Sequence, residues 1–276
     1  MFDFDRRVAR ATLPLAAIVL LAGCSGGAAE PSARPLIAAA VSPSARLAIS
    51  VTPAAAPTQA AIPVTADAVT QGNPALREVA LDFNVGAGYE PATAILDLLR
   101  ARHVPATFFV MGWLATDHPA TLAAIARAGF EIGSHGDKIA DVTTASDAAM
   151  VADLNAADTA IGAIIGHSTK PLWSPSAGYQ DARVRGLAAG IGYDTVLWSI
   201  DSGDWRTDAT AGAVEDAVLP ALKPGAIVVL HYDSPQSHTA TVAALPVILN
   251  AIETQGLTPV PISTLLRHLP RQPAAP

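Results

Sequence analysis

Cysteine occurs once in the 276 residues, at Cys24, so no disulfide can form within the chain. Aromatic residues make up only 5% and charged residues 15%. The formal net charge is −7 and no stripe of lysine or arginine interrupts it, which argues against nucleic acid as a partner. No G-x-S-x-G is present, and Ser174 and Ser176 have no adjacent base, so a serine hydrolase is unsupported. Gly86-Ala-Gly88 is too short, and too poor in phosphate-binding neighbours, to be a nucleotide loop. There is no internal repeat of solenoid length. What is present, with 51% hydrophobic residues, suits one globular domain with appendages.

The first appendage reads as an export signal. Arg6, Arg7 and Arg10 precede the apolar Leu13–Ala22, which ends in Leu21-Ala22-Gly23-Cys24. The apolar run is short for a membrane span. It resembles the signal of bacterial lipoproteins, which implies removal of residues 1–23 and a lipid on Cys24. The protein is then expected to be exported and tethered to a membrane, facing the periplasm or the cell exterior. Residues 24–75 are rich in Ala, Pro, Ser and Thr, lack sustained periodicity, and are expected to be a disordered tether.

A folded domain is expected over residues 76–269, with a tail at 270–276. Val79, Ala80, Leu81 and Phe83 form a buried strand that delivers Asp82 and Asn84 to one side. Apolar runs at 106–111, 130–133, 172–173, 195–200, 226–230 and 258–262 predict further strands. Between them, helices are predicted at 90–102, 119–128, 146–165, 181–189, 209–222, 240–255 and 263–268. This alternation is that of an α/β, barrel-like fold, whose cleft lies at the C-terminal ends of its strands. Asp82, Asn84, His135, Ser174, Asp201, Asp204 and His231 all fall at such ends.

Six short segments resemble the motifs and strands of the polysaccharide deacetylases, carbohydrate esterase family 4. Asp201-Ser-Gly-Asp-Trp205 is similar to that family's D-x-x-D-W, and Val229-Leu230-His231 to its L-x-H. Residues 106–112 and 129–135 are similar to its second and third strands, while 79–86 and 173–178 align with altered motifs. The resemblance implies an irregular (β/α)7 barrel that removes acetyl groups from a glycan by means of a divalent, zinc-like metal.

Several motif positions are changed. The family's first strand reads V-A-L-T-F-D-D-G, in which the first Asp is the base and the second holds the metal. Here those positions are Asn84 and Val85, and Asp82 replaces the Thr. The second histidine of H-x-x-x-H falls on Ile139, and the Arg that steadies the base falls on Ser174. A metal-bound water needs donors to hold the ion and a carboxylate to take the proton. Val85 and Ile139 have no lone pair to give, and Asn84 cannot serve as a general base.

A shifted site is therefore drawn. Asp82 is the expected base and His231 the acid, oriented by Asp201 or Asp204. His135, with Asp137, is the candidate holder of any metal. Asn84, Ser174, Trp205 and Tyr232 are candidate substrate contacts, the two aromatics as a wall for a sugar ring. Three readings stay open from the residues alone: an enzyme with a rearranged site, a glycan-binding domain without catalysis, and a structural envelope lipoprotein. A glycan of the cell envelope and a membrane are the expected partners, and a monomer the expected state.

Overall fold

The computed structural model describes residues 65–270; the export signal, Cys24, most of the 24–75 tether and residues 271–276 lie outside the described residues. Eight strands run β1 (Glu78–Val85), β2 (Thr107–Val110), β3 (Glu131–Ser134), β4 (Leu172–Trp173), β5 (Asp194–Thr195), β6 (Ile200–Asp201), β7 (Ile227–His231) and β8 (Thr258–Pro259). The helices among them are α1 (Thr93–Ala101), α2 (Gly112–Asp117), α3 (Pro119–Arg127), α4 (Asp147–Ile165), α5 (Ala182–Gly190), α6 (Ala211–Val218), α7 (Val242–Thr254) and α8 (Ile262–Arg267). The strands pair in parallel in the order β5-β4-β3-β2-β1-β7-β6, with β8 on the start of β1. The fold is the irregular (β/α)7 barrel expected.

Pleating divides β1 between two environments. Val79, Leu81, Phe83 and Val85 belong to the cluster under the surrounding helices, whereas Ala80 joins Phe109, Leu172, Val196 and Ile227 inside the barrel. Each such fully buried large apolar side chain contributes about 1.5–3 kcal/mol. Helix α8 plugs the lower end of the interior with Ile262, Leu265 and Leu266. Thr107 Oγ1 donates to Glu131 Oε2 at 2.7 Å and accepts from the Ile262 N–H at 2.9 Å, so the plug is tied to β2 and β3.

Two expected strands differ. The stretch predicted as one strand at 195–200 is divided: the Val196 N–H bonds the Trp173 carbonyl on the β4 side, and the Ser199 N–H bonds the Ile227 carbonyl on the β7 side. One extended stretch thus joins the two edges of the curled sheet. The last strand is two residues rather than 258–262, because Pro259 and Pro261 have no N–H to give a ladder and Ile262 already opens α8. Helix α2 was not expected from the pattern.

Residues 65–75, assigned above to the tether, lie on the barrel. The Thr65 N–H bonds Asp194 Oδ1 at 2.7 Å, Val69 bridges to Val196, and the Gly72 N–H bonds the Gly225 carbonyl. Low apolar periodicity hid them, because many of their contacts are made by backbone groups, with Val69 packing on the interior cluster and the Asn73 side chain donating to the His268 carbonyl.

Candidate active site

A cavity of about 480 Å³ opens at the C-terminal ends of the strands, with Asn84, Met111, His135, Trp198, Trp205 and His231 among its walls. Its most complete construction surrounds His231 at the end of β7. The Asp204 carboxylate is fully buried and takes three hydrogen bonds: from the His231 N–H at 2.8 Å, from His231 Nδ1 at 2.7 Å and from Thr241 Oγ1 at 2.7 Å. With Nδ1–H committed to the carboxylate, Nε2 is the free ring nitrogen.

His135 is fixed by a different rule. It follows β3, and its Nδ1–H donates to the Ser174 carbonyl at 2.7 Å, which again leaves Nε2 free. Burial pushes its pKa down to about 4; the Ser174 carbonyl opposes the shift and nearby His231 adds to it. The ring is neutral at neutral pH.

Asn84 faces the cavity in register with His231, and its Oδ1 is buried without a partner. Asp82, expected as the base, is placed otherwise. It is 0% exposed, does not line the cavity, and neither carboxylate oxygen has a hydrogen-bond partner. Burial holds its carboxyl well above the usual aspartate range. A carboxyl sealed from the cavity does not reach a water standing above it. The register explains the error: i and i+2 share a side of the strand, but two residues nearer the strand start is about 6–7 Å deeper in the barrel.

The remaining candidates divide in the same way. Of the two orienting aspartates, Asp204 holds His231, while Asp201 stands at the cavity rim and accepts from the Gly203 N–H at 2.9 Å and Trp205 Nε1 at 3.2 Å. Asp201 is therefore a brace for Trp205, which lines the cavity and is 51% exposed. Tyr232 is no wall: it is buried among core side chains, edge-on to Phe108 at 5.5 Å. Ser174 is fully buried with an unpartnered hydroxyl and touches the site only through its carbonyl.

Asp137 is not brought to the cavity beside His135; its carboxyl lies 3.9 Å from Lys138 Nζ, and burial pushes its pKa up. Its loop is turned by buried Asp153, which accepts the N–H groups of Asp137, Lys138 and Ile139 at 2.7, 2.9 and 3.1 Å. Ile139 packs into the apolar cluster of Val142, Met150, Leu154 and Trp173. Val85, which does border the cavity, is hydrocarbon. Among the described residues no three His, Cys, Asp or Glu side chains converge as a metal site. The residues present do not fit the divalent ion that the resemblance implies.

Asp233 was missed. Its carboxylate accepts the Gly86 N–H at 2.9 Å and the Ala87 N–H at 3.1 Å, shaping the cavity edge. Burial raises its pKa, partly offset by those donors and by His231. Its place two residues after His231 was the only sequence signal, since its partners are remote in the chain. Trp198, Met111 and Tyr179 also line the cavity.

The family described as polysaccharide deacetylase matches residues 71–196. A chitooligosaccharide deacetylase of Rhizobium leguminosarum bv. trifolii is 31% identical over 206 residues, covering 71% of this chain and 91% of that protein. A peptidoglycan-N-acetylglucosamine deacetylase of Bacillus cereus is 32% identical over 192 residues, covering 69% of this chain and 88% of its own length. Among solved structures, a pseudoenzyme of carbohydrate esterase family 4 from Bacillus anthracis superposes with a TM-score of 0.67 over 74% of this chain and 70% of its own, at 24% identity, a likeness of fold.

Proposed function

The chain belongs to the polysaccharide deacetylase family, and we propose that it is a deacetylase-like domain that binds an acetylated envelope glycan without hydrolysing it by the family's metal route. The single observation that carries this reading is the pair Asn84 and Asp82. An amide occupies the position at which the family has its base, and the nearest carboxyl on the same strand, Asp82, is sealed beneath it with 0% exposure. The hydrocarbon of Val85 and Ile139 at the two ligand positions removes the ion's grip at the same time. The recognition surface is retained: Trp205 and Tyr179 at the rim offer apolar faces to a sugar ring, and Asn84 offers an amide to an acetamido group. The family fold does not by itself carry activity, since a pseudoenzyme shares it.

A second reading rests on one specific observation, the complete His231–Asp204–Thr241 arrangement. In it, His231 Nε2 takes a proton from water attacking an O-acetyl ester, which is hydrolysed more readily than an amide, and returns it to the sugar oxygen as the acyl C–O bond breaks and acetate is released, with Asp204 steadying the imidazolium between the two transfers.

The test is calorimetric titration with N-acetylglucosamine oligosaccharides, run beside acetate release from those sugars and from O-acetylated glycan with zinc, cobalt, manganese or chelator. Binding without acetate supports the first reading. Chelator-resistant acetate release that His231→Ala abolishes supports the second. Metal-dependent release that survives chelation only when metal is restored overturns both. Export and lipid attachment at Cys24 complete the proposal; a Cys24→Ala chain recovered in the soluble rather than the membrane fraction is the expected result.

A further inference from the structure

Parallel pairing sets the strand starts at the end of the barrel opposite the cavity, and the helices return their C-termini to that end. Lysine and arginine are scattered through the sequence, and the fold gathers most of those it describes there. Arg77, Lys170 and Lys223 stand shortly before β1, β4 and β7, and all three are exposed. Arg100 and Arg127 lie in the last turns of α1 and α3, Arg102 follows α1, and half-buried Arg267 closes α8. A helix C-terminus favours a cation on its own account, but the three residues before strands have no such reason. The surface between these side chains is continuous, because its shallow grooves share walls. Arg100 lines one groove with Arg127 and a second with His103; His103 borders a third with Arg102, and Phe130 joins the second to a fourth lined by Lys170 and Arg267.

The charges at this end are also uncompensated. Among the described residues none of its lysines or arginines pairs with a carboxylate, whereas Lys138, Arg183 and Arg206 at the cleft end pair with Asp137, Asp147 and Asp208. The partners they do have are neutral: Arg77 donates to the Gly256 carbonyl at 2.9 Å, Arg102 to Asn250 Oδ1 and Arg267 to Thr264 Oγ1 at 2.7 Å, and Lys170 Nζ lies over the Tyr193 ring. Several carboxylates at this end are engaged elsewhere, Glu78 with His268 and Glu131 with Thr107 Oγ1 and the Ser263 N–H. Asp97, Asp216 and Glu253 are exposed on its helices, fewer than the cations around them. The connections at the cleft end carry exposed Asp147, Asp181, Asp201 and Asp208 instead. A chain of formal net charge −7 is thus polarised, positive at the strand starts and negative around the cleft. The Thr65 N–H is held by Asp194 at the start of β5, so the residues that precede it, Cys24 among them, join the domain at the positive end.

We propose that this positive end is a docking face for an anionic phospholipid surface, and that the domain rests on the bilayer with its cleft turned away, toward the glycan. Guanidinium and ammonium groups that lack carboxylate partners are free to meet lipid phosphates without first breaking an ion pair. The acidic rim of the cleft is repelled by the same surface, so one orientation is favoured twice over. A modest affinity is sufficient, because a lipid on Cys24 would hold the face at high local concentration beside the membrane. Without that lipid, and in dilute solution, the contact dissociates. The docking face draws on the membrane setting proposed for Cys24 but not on the lipid itself.

The test uses residues 24–276 with Cys24→Ala, so that neither leader nor lipid contributes, and excess vesicles of phosphatidylethanolamine with phosphatidylglycerol at low ionic strength. Co-sedimentation is expected with these vesicles, and neither with phosphatidylcholine vesicles nor at high salt. Arg100, Arg127 and Lys223 make no side-chain hydrogen bond among the described residues, so Arg100→Gln, Arg127→Gln and Lys223→Gln together should leave the melting temperature unchanged. Each charge removed is expected to weaken association about fivefold. Lys138→Gln with Arg206→Gln, at the cleft end, should not weaken it. A triple variant that associates as the unaltered chain does overturns the docking face, as does equal weakening by the cleft-end pair. Absence of any association with phosphatidylglycerol vesicles, or equal association with phosphatidylcholine, overturns it too. Binding to soluble linear polyphosphate with none to vesicles would assign the face to a dissolved polyanion and overturn the membrane reading. Membrane attachment through Cys24 is read separately, by fractionation of the lipidated chain, and stands or falls on its own.

Discussion

Asp82 and His135 sit within one barrel and pull stability in opposite directions with pH. Asp82 has a raised folded pKa, so the native state binds its proton more tightly than the unfolded chain. Its contribution is full at low pH and declines as pH rises from the usual aspartate value toward the raised one, by about 1.4 kcal/mol per pH unit. His135 is lowered to about 4, so the unfolded chain binds its proton more tightly, and stability is lost as pH falls from the usual histidine value toward about 4. The two slopes oppose one another where their windows overlap in acidic solution. Asp82→Asn should abolish the Asp82 decline, read by urea denaturation in a series of buffers upward from the usual aspartate value. A parallel pH profile for both chains would contradict the assignment. Asp204 belongs to this scale too. Asp204→Asn disturbs the acceptor of three donors and is expected to cost about 1–3 kcal/mol and to weaken sugar binding. Neither effect was legible from sequence, because Asp82 and Asp204 both look like polar residues at strand ends. Only depth in the barrel separates the sealed acid from the orienting carboxylate.

Elements were easier to read than their ends. The periodicity of α4 places Met150, Leu154, Ile161 and Ile165 on its buried stripe; the first three are buried and Ile165, at the helix end, is half-buried. Within that stripe, Asp153 breaks the apolar pattern and has no sequence signal for its task, since it gathers the N–H groups of Asp137, Lys138 and Ile139 from another loop. Asp153→Ala should leave those donors without an internal acceptor. A loss of about 2–4 kcal/mol in denaturant unfolding is expected, with faster hydrogen exchange at residues 137–139. The division of the 195–200 strand was equally hidden: its apolar alternation is continuous, and what changes along it is the identity of the neighbouring strand. Secondary structure follows from local pattern, whereas the switch of partner follows from closure of the sheet.

At the scale of the whole domain, the family architecture was readable because alternating apolar runs and helical stretches recur in order, and because His135, Asp204 and His231 keep their motif spacing. The altered floor was readable as substitution, yet its consequence was not. Restoring the family residues by Asn84→Asp, Val85→Asp and Ile139→His tests whether those three positions alone separate this chain from a metal-dependent hydrolase. Metal content measured by mass spectrometry is expected to rise only weakly in that variant. Position 139 points into the cluster around Val142 and Trp173, so the new imidazole starts on the wrong side of its loop. Stoichiometric zinc would show that the loop turns freely.

The stretch from Asp194 to Asp201 has a mechanical consequence. Its first half grips β4 and its second half grips β7, while Val69 lies alongside it. Loosening either grip slackens the other, so the seam has no half-open state. Proteolytic nicking between Val196 and Ser199 should therefore release the cylinder as a whole, and the scissile bonds there should become accessible only at the rate of global unfolding.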